Sequence, residues 1–212
     1  RAKAEIGFAY GRLNDYYFQT SNMTFPNATT DHSRYDLFAG SLSIERNSLD
    51  YKQYPISGRK QFLVAQYVTG TEKYMPSPIT DMGLFDRKVH SWLQMKGEWE
   101  QYKTISPYFN LGFMSELVLS SKNLMNNYTA SVLQAPAFTP TPHSQIVFNE
   151  AFRANQYVAF GLSPILKFSK LLHFRLDMYG FAPLYEIKKE EVWNNNTYTA
   201  IPYYGKFLHS FL

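Results

Sequence analysis

Apolar side chains recur at every second position along most of this chain. In residues 89–102 the apolar members of the pattern are Val89, Leu93, Met95 and Trp99. The polar members between them are His90, Gln94, Lys96, Glu98 and Glu100. Successive side chains of a β-strand point to opposite faces of its sheet. The pattern therefore predicts strands with one apolar face and one polar face.

The same period recurs in about nine segments, which predicts an all-β chain with antiparallel strands. The segments are residues 4–12, 15–25, 35–46, 59–70, 89–102, 108–121, 156–168, 173–184 and 203–212. Strands of ten or more residues are long for a soluble sandwich, but they match the length that a tilted strand needs to cross a bilayer. Pro164 predicts a bulge or a strand end, because proline cannot donate to the ladder.

Connections between these segments differ strongly in length. Tight turns are expected at residues 11–14, 103–107 and 169–171, and long polar loops at 72–88, 122–154 and 187–202. Short turns at one end and long loops at the other are typical of transmembrane β-barrels. Residues 47–58 form a longer connection than this layout predicts for their end.

A soluble β-sandwich that binds a glycan or a protein remains the alternative interpretation. In that fold the apolar face would pack against a second sheet and form the core. The alternation alone is compatible with both folds, whereas strand length and loop asymmetry favour the barrel.

Composition excludes several other classes. The chain has no Cys, which excludes disulfide scaffolds and Cys-ligated metals, and its five His residues lack the spacing of a zinc site. Its charge of +4 is scattered, so no nucleic-acid partner is expected. The chain contains no run of 18 apolar residues, so the sequence predicts no membrane-spanning helix. The opening RAKAEIGFAY has no initiator Met, and we expect the chain to be part of a longer protein. We expect no cofactor in this chain.

Residues 45–67, ERNSLDYKQYPISGRKQFLVAQY, resemble the strand-turn-strand signature of bacterial surface-antigen barrels, the superfamily that includes BamA and TamA. The signature elements are Asn47, Asp50, Pro55 and Gly58. Residues 135–165 and 174–184 resemble, more specifically, the C-terminal barrel of the patatin-like phospholipases of Bacteroidota.

This resemblance implies a transmembrane barrel of about sixteen strands in the outer membrane of a Gram-negative bacterium. Residues 1–212 would form one outer-membrane domain, incomplete at both ends, with about nine of those strands. Its partners would be outer-membrane lipid, the missing barrel strands, and N-terminal periplasmic and hydrolase domains. An outer-membrane protein assembly barrel of the same superfamily is a further alternative.

The hydrolase itself is not expected in this chain. A patatin-like enzyme needs a Gly-x-Ser-x-Gly nucleophile elbow. The nearest fragment, FAGSLS around Ser41, lacks the second Gly and lies in a predicted strand. The expected role is therefore to anchor, and to export or display, a lipid hydrolase, and not to catalyse a reaction.

The resemblance also implies a structural lock for the long loop 122–154. Phe152 and Arg153 match the first two positions of a motif whose arginine meets an acidic residue inside the barrel. Asp177 matches that acidic partner, and Glu116 is a second possible partner. Ala154 stands where the motif has Gly, so the match is partial. A charge-assisted pair of this kind would hold the loop in one conformation.

Overall fold

The computed structural model describes residues 2–18, 30–75, 86–169, 172–194 and 197–207, and nearly all of its regular structure is antiparallel β-sheet. The strands are β1 (Ala2–Tyr17), β2 (Asp31–Asn47), β3 (Gly58–Met75), β4 (Asp86–Ser106), β5 (Phe109–Ser120), β6 (Tyr157–Lys167), β7 (His173–Arg175), β8 (Met178–Pro183), β9 (Tyr185–Asn194) and β10 (Thr197–Phe207). Helix α1 spans Tyr128–Leu133, and Glu150–Phe152 form a 3-10 turn. Neither of these two described helices is long or apolar enough to cross a membrane.

Strands β1 to β6 lie side by side in chain order, each antiparallel to the next. Both β7 and β8 pair with β6, on either side of a break at Leu176 and Asp177. Strands β9 and β10 form a separate hairpin. With β7 and β8 taken as one interrupted strand, the described strands occupy nine positions. The number equals the predicted one, but the strands differ: β1 runs through the predicted segment 4–12 and into 15–25, and β9 lies mostly in a predicted loop. The all-β antiparallel prediction is confirmed.

The apolar side of the main sheet is open. Its exposed side chains include Ile6, Phe8, Phe38, Leu42, Leu63, Leu93, Met95, Trp99, Leu117, Phe160 and Phe174. Phe8 is 88% exposed and Trp99 is 38% exposed. No helix or second sheet in the described residues packs on this face. This apolar exposure is the reverse of a soluble sandwich, in which the apolar face is the buried one.

The polar side of the sheet is covered in part, by the long connection of residues 121–156, whereas Lys3, Glu5 and Ala9 on β1 stay exposed. Two clusters join this connection to the sheet. One consists of Tyr17, Tyr35, Met125 and Ala130. The other consists of Val118, Phe138, Ala154, Tyr157 and Ala159. The small core of the described structure therefore lies between the polar face and its own loop.

Two sequence-based predictions of connections are wrong. Residues 11–14 do not form a turn, because the ladder between β1 and β2 runs through them, with Gly11 opposite Leu37 and Asn14 opposite Arg34. Pairing with a neighbouring strand has overridden a weak local turn preference. Residues 187–202 are mostly the β9–β10 hairpin. Charges in the run KKEE interrupt the alternation there, so the segment had no clear strand period.

Several other predicted segments have different limits in the structure. Strand β3 continues to Met75 and β4 begins at Asp86, so both extend into the predicted loop 72–88. The predicted strands 15–25 and 203–212 and the predicted turn 169–171 lie partly outside the described residues. Pro164 does not end its strand, because β6 continues through it to Lys167.

Candidate functional site

A row of paired charges crosses β3, β4 and β5 on the polar face. Glu98 accepts hydrogen bonds from Lys60 at 2.8 Å and from Lys96 at 2.9 Å. Lys96 also lies 3.1 Å from Glu116, which stands directly opposite Glu98 in the ladder. Two carboxylates opposite each other would repel, and the ammonium group between them offsets that repulsion. The Tyr157 hydroxyl also donates to Glu116.

Arg175 connects four segments at the short-turn end of the same face. Its Nε donates to Asp177 at 2.7 Å, and its Nη1 donates to the Pro55 carbonyl at 2.9 Å. Its Nη2 donates to the hydroxyls of Tyr102 at 3.1 Å and Ser163 at 3.3 Å. The guanidinium therefore links β7, β6, β4 and the connection between β2 and β3.

The structure corrects the predicted partners of Arg153. No ion pair in the described part of the chain joins Arg153 to Asp177 or to Glu116. The physical reason is that each carboxylate already has a nearer cation, Arg175 for Asp177 and Lys96 for Glu116. Arg153 instead donates hydrogen bonds to backbone carbonyl groups.

These carbonyls lie in the same long loop. Arg153 Nη1 donates to Leu133 at 2.9 Å and to Ala135 at 3.1 Å, and the Phe148 ring centre lies 4.7 Å from its Cζ atom. Arg153 also forms an isolated antiparallel bridge with Ala137. The arginine therefore braces the loop internally and does not attach it to the sheet by a salt bridge.

Two signature residues close the connection of residues 48–57 with their side chains. Asn47 Oδ1 accepts from the Leu49 amide at 3.0 Å. Asp50 Oδ1 accepts from three backbone amides, those of Tyr51, Ile56 and Ser57. A carboxylate that accepts several amides replaces the hydrogen bonds that a tight hairpin would otherwise supply.

The other two signature residues position this connection against the sheet. Gly58 has a φ of 102°, and a Cβ at this position would lie 2.2 Å from the Ser48 carbonyl oxygen, so no other residue fits well. Pro55 is buried and presents its carbonyl to Arg175. Asn110 on β5 donates to the next carbonyl, that of Ile56, at 2.7 Å. The connection therefore folds back over the end of the polar face, which explains its length.

At the opposite end, helix α1 is attached through Asn127. Its Oδ1 accepts from the Ala130 amide at 2.8 Å, which caps the helix, and its Nδ2 donates to the Tyr17 hydroxyl at 2.5 Å. The Tyr17 hydroxyl lies 2.6 Å from that of Ser33. One buried asparagine thus starts the helix and ties it to β1 and β2.

Glu72 supplies a second attachment for the loop. Its carboxylate lies 2.9 Å from His90 Nε2, and both side chains are buried. The Asn126 amide donates to the same carboxylate at 3.2 Å. Alternation had placed His90 on the polar face, and its burial there confirms the placement.

Between the polar face and residues 139–145 lies a cavity of about 440 Å³. Six of its side chains are Lys60, Lys96, Glu98, Glu100, Tyr102 and Arg175. Charges of both signs line it, so it is a polar compartment and not an apolar ligand pocket. Ser41 lies within β2, its hydroxyl 3.5 Å from the Gly7 carbonyl. Among the described residues, no cluster of three or more His, Asp or Glu side chains could hold a metal ion.

Sequence reasoning missed three residues that organise this site: Glu72, Arg175 and Asn127. For Asn127 a signal existed, because Asn is a favoured N-cap residue. For Arg175, the two-residue spacing from Asp177 already placed both on one face. Glu72 carried no such signal, since its contacts with His90 and Asn126 depend on strand register and loop path.

No protein-family model matches this chain, and neither curated proteins nor solved structures include a significant match. A function must therefore be inferred from the chain's own residues.

Proposed function

We propose that this chain is part of an outer-membrane β-barrel of a Gram-negative bacterium, and that the barrel anchors and displays an N-terminal patatin-like lipid hydrolase. The observation that carries the membrane assignment is the inverted sheet, with its apolar face open and its polar face partly covered by the loop. Exposed apolar surface costs about 25 cal/mol per Å² in water. Contact with acyl chains removes that cost.

The backbone arrangement supports the same assignment. In a bilayer every N–H and C=O group must find a partner within the protein, which closed sheets achieve. Strands β1 to β6 pair along most of their length and leave few free groups between them. The outer edges of β1 and β8 have no neighbour in the described residues. In the proposal, further strands of a barrel of about sixteen cover both edges.

The polar face fits the interior of such a barrel. Several charged groups there are paired, as in the group of Lys60, Lys96, Glu98 and Glu116, and a polar cavity adjoins them. Barrel interiors of this type are polar and often partly filled by loops. Residues 121–156 act as the filling loop.

The hydrolase part of the proposal depends on the resemblance of residues 135–165 and 174–184 to patatin-like phospholipase barrels. This chain would supply the anchor, and the catalytic serine would lie in a domain outside it. Export of a product through the interior is not needed for this role.

Two tryptophans on opposite faces of β4 provide the test of the membrane assignment. Trp99 is on the open apolar face, whereas Trp92 is on the polar face and only 6% exposed. Single-tryptophan versions of the full-length protein, with the other tryptophans changed to Phe, are reconstituted in vesicles that contain brominated acyl chains. We expect strong quenching of Trp99 and weak quenching of Trp92. If both tryptophans are quenched equally, or if neither is quenched, the membrane assignment is wrong.

Hydrolase anchoring is tested separately, on the full-length parent protein. We expect lipase activity in the outer-membrane fraction, and release of that activity when a protease site is placed ahead of residue 1. A soluble parent, or a parent without lipase activity, contradicts the anchoring role without affecting the result for the tryptophans.

A further inference from the structure

Arg153 is a partly buried cation without a carboxylate partner in the described residues. Its Nη1 is satisfied by the carbonyls of Leu133 and Ala135. Its Nε is buried and has no hydrogen-bond partner, and the hydrogen bonds of its side chain to described groups all come from Nη1. Burial lowers the pKa of Arg153. An uncompensated charge of this kind is costly to bury unless something else neutralises it.

The guanidinium leaves one donor group for an anion. Nε is enclosed by the atoms around it, so the donor left for a carboxylate is Nη2. Phe148 already covers one face of the group, with its ring centre 4.7 Å from Cζ. Nη2 is therefore the remaining place where an anion fits.

Arg153 also lines a second cavity, of about 270 Å³, within the hairpin of residues 137–153. Its other walls are mainly apolar: Ala137, Phe138, Pro140, Val147, Phe152 and Tyr179. The hairpin is closed by the Ala137–Arg153 bridge and by the Phe138 amide, which donates to the Phe152 carbonyl at 2.9 Å. No acidic side chain of the described residues lines this cavity. Apolar walls with one convergent charge are typical of small-ligand pockets.

We propose that this cavity binds a medium-chain fatty acid, with the carboxylate at Nη2 of Arg153 and the alkyl chain against Phe138, Val147 and Phe152. A neutral lipid would leave the guanidinium unpaired. A two-chain phospholipid exceeds the volume, which is slightly below the range of roughly 300–1,000 Å³ for ligand pockets. The site lies in the loop and does not require the membrane assignment.

Decanoate labelled with ¹³C at the carboxyl group is the probe. It is titrated into the purified full-length protein, in whichever medium keeps it folded, and bound ligand is followed by NMR. We expect a carboxyl resonance distinct from that of free or lipid-partitioned decanoate. Decanol, which has the same chain and no charge, should bind roughly tenfold or more weakly. Equal binding of decanol and decanoate, or no bound resonance, overturns the proposal.

Two variants test the two halves of the site, and one serves as the control. Arg153→Gln removes the anion contact, and Val147→Trp fills the cavity while leaving the arginine in place. Both should lose roughly tenfold or more in decanoate affinity. Arg46→Gln makes the same change at an exposed position on β2 and should bind as the parent does. Arg153→Gln also loosens the hairpin, so a loss of binding in that variant alone is not enough, and Val147→Trp must lose binding as well. Retained binding in either variant overturns the proposal.

Discussion

The ring of Tyr102 on β4 lies directly over Gly112 on β5, so closely that a Cβ at residue 112 would come within 2.3 Å of the ring. The two residues are opposite each other in the ladder. The same ring presents its hydroxyl to Arg175 at 3.1 Å. An aromatic ring packed over a cross-strand glycine fixes strand register and covers the backbone that glycine leaves open.

Gly112→Ala should therefore destabilise the protein by about 1–3 kcal/mol, because the new methyl group displaces the Tyr102 ring and overpacks the site. Gly97→Ala is the matched control on β4, where a Cβ meets only Leu63 at 3.9 Å. Urea unfolding of the folded, reconstituted protein measures both. Equal stabilities for the two variants would contradict the packing role of Tyr102.

Arg175→Gln should lower the free energy of unfolding by about 3 kcal/mol, because it leaves Asp177 without its cation and the Pro55 carbonyl without its donor. We also expect faster proteolysis within residues 48–57, which the arginine holds against the sheet. Arg59→Lys, at an exposed position, serves as the control and should leave both unchanged. If Asp177→Asn in the Arg175→Gln background restores no stability, the ion pair is not the source of the effect.

Lys122 predicts a pH dependence of loop docking. Burial lowers the pKa of Lys122 from the ordinary 10.5 to about 8. Between these values the undocked loop binds more protons than the docked loop, so docking strengthens as pH rises from about 8 toward 10. Below pH 8 the lysine is charged in both states, and the gain is absent.

Urea midpoints measured across this pH range should rise for the parent protein and stay nearly flat for Lys122→Met. Above pH 10 the raised pKa of Tyr128, caused mainly by burial, acts in the opposite direction. The comparison is therefore made up to pH 10. Parallel curves for the two proteins would show that Lys122 is not the titrating group.

Arg153→Ala should increase protease cleavage within residues 122–154 about tenfold, because the hairpin loses its hydrogen bonds to the Leu133 and Ala135 carbonyls. The variant Asp177→Asn distinguishes this bracing within the loop from the Arg153–Asp177 lock that the family resemblance implies. A carboxylate lock requires Asp177→Asn to loosen the loop as strongly as Arg153→Ala does. We expect loop cleavage in Asp177→Asn to stay close to that of the parent protein.

Sequence reasoning reached the strands and their faces because alternation is a local property. Leu93 and Lys96 are assigned to opposite faces by counting positions along β4, and the structure agrees. It failed at residues 11–14 and 187–202, where turn-forming or charged residues obscured the period. It also failed for Arg153, because its partner depends on which cations lie nearest to Asp177 and Glu116 in the folded chain. These cations are Arg175 and Lys96.

The sequence alone determined an all-β chain with one apolar and one polar face, since side-chain direction along a strand follows from backbone geometry. Only the tertiary structure decided which face is covered and which groups meet. The Arg175 network and the attachment of Asn127 to Tyr17 join residues far apart in the chain, and the Tyr102–Gly112 contact depends on the register between β4 and β5. Such contacts depend on strand register and loop path, which no local pattern encodes.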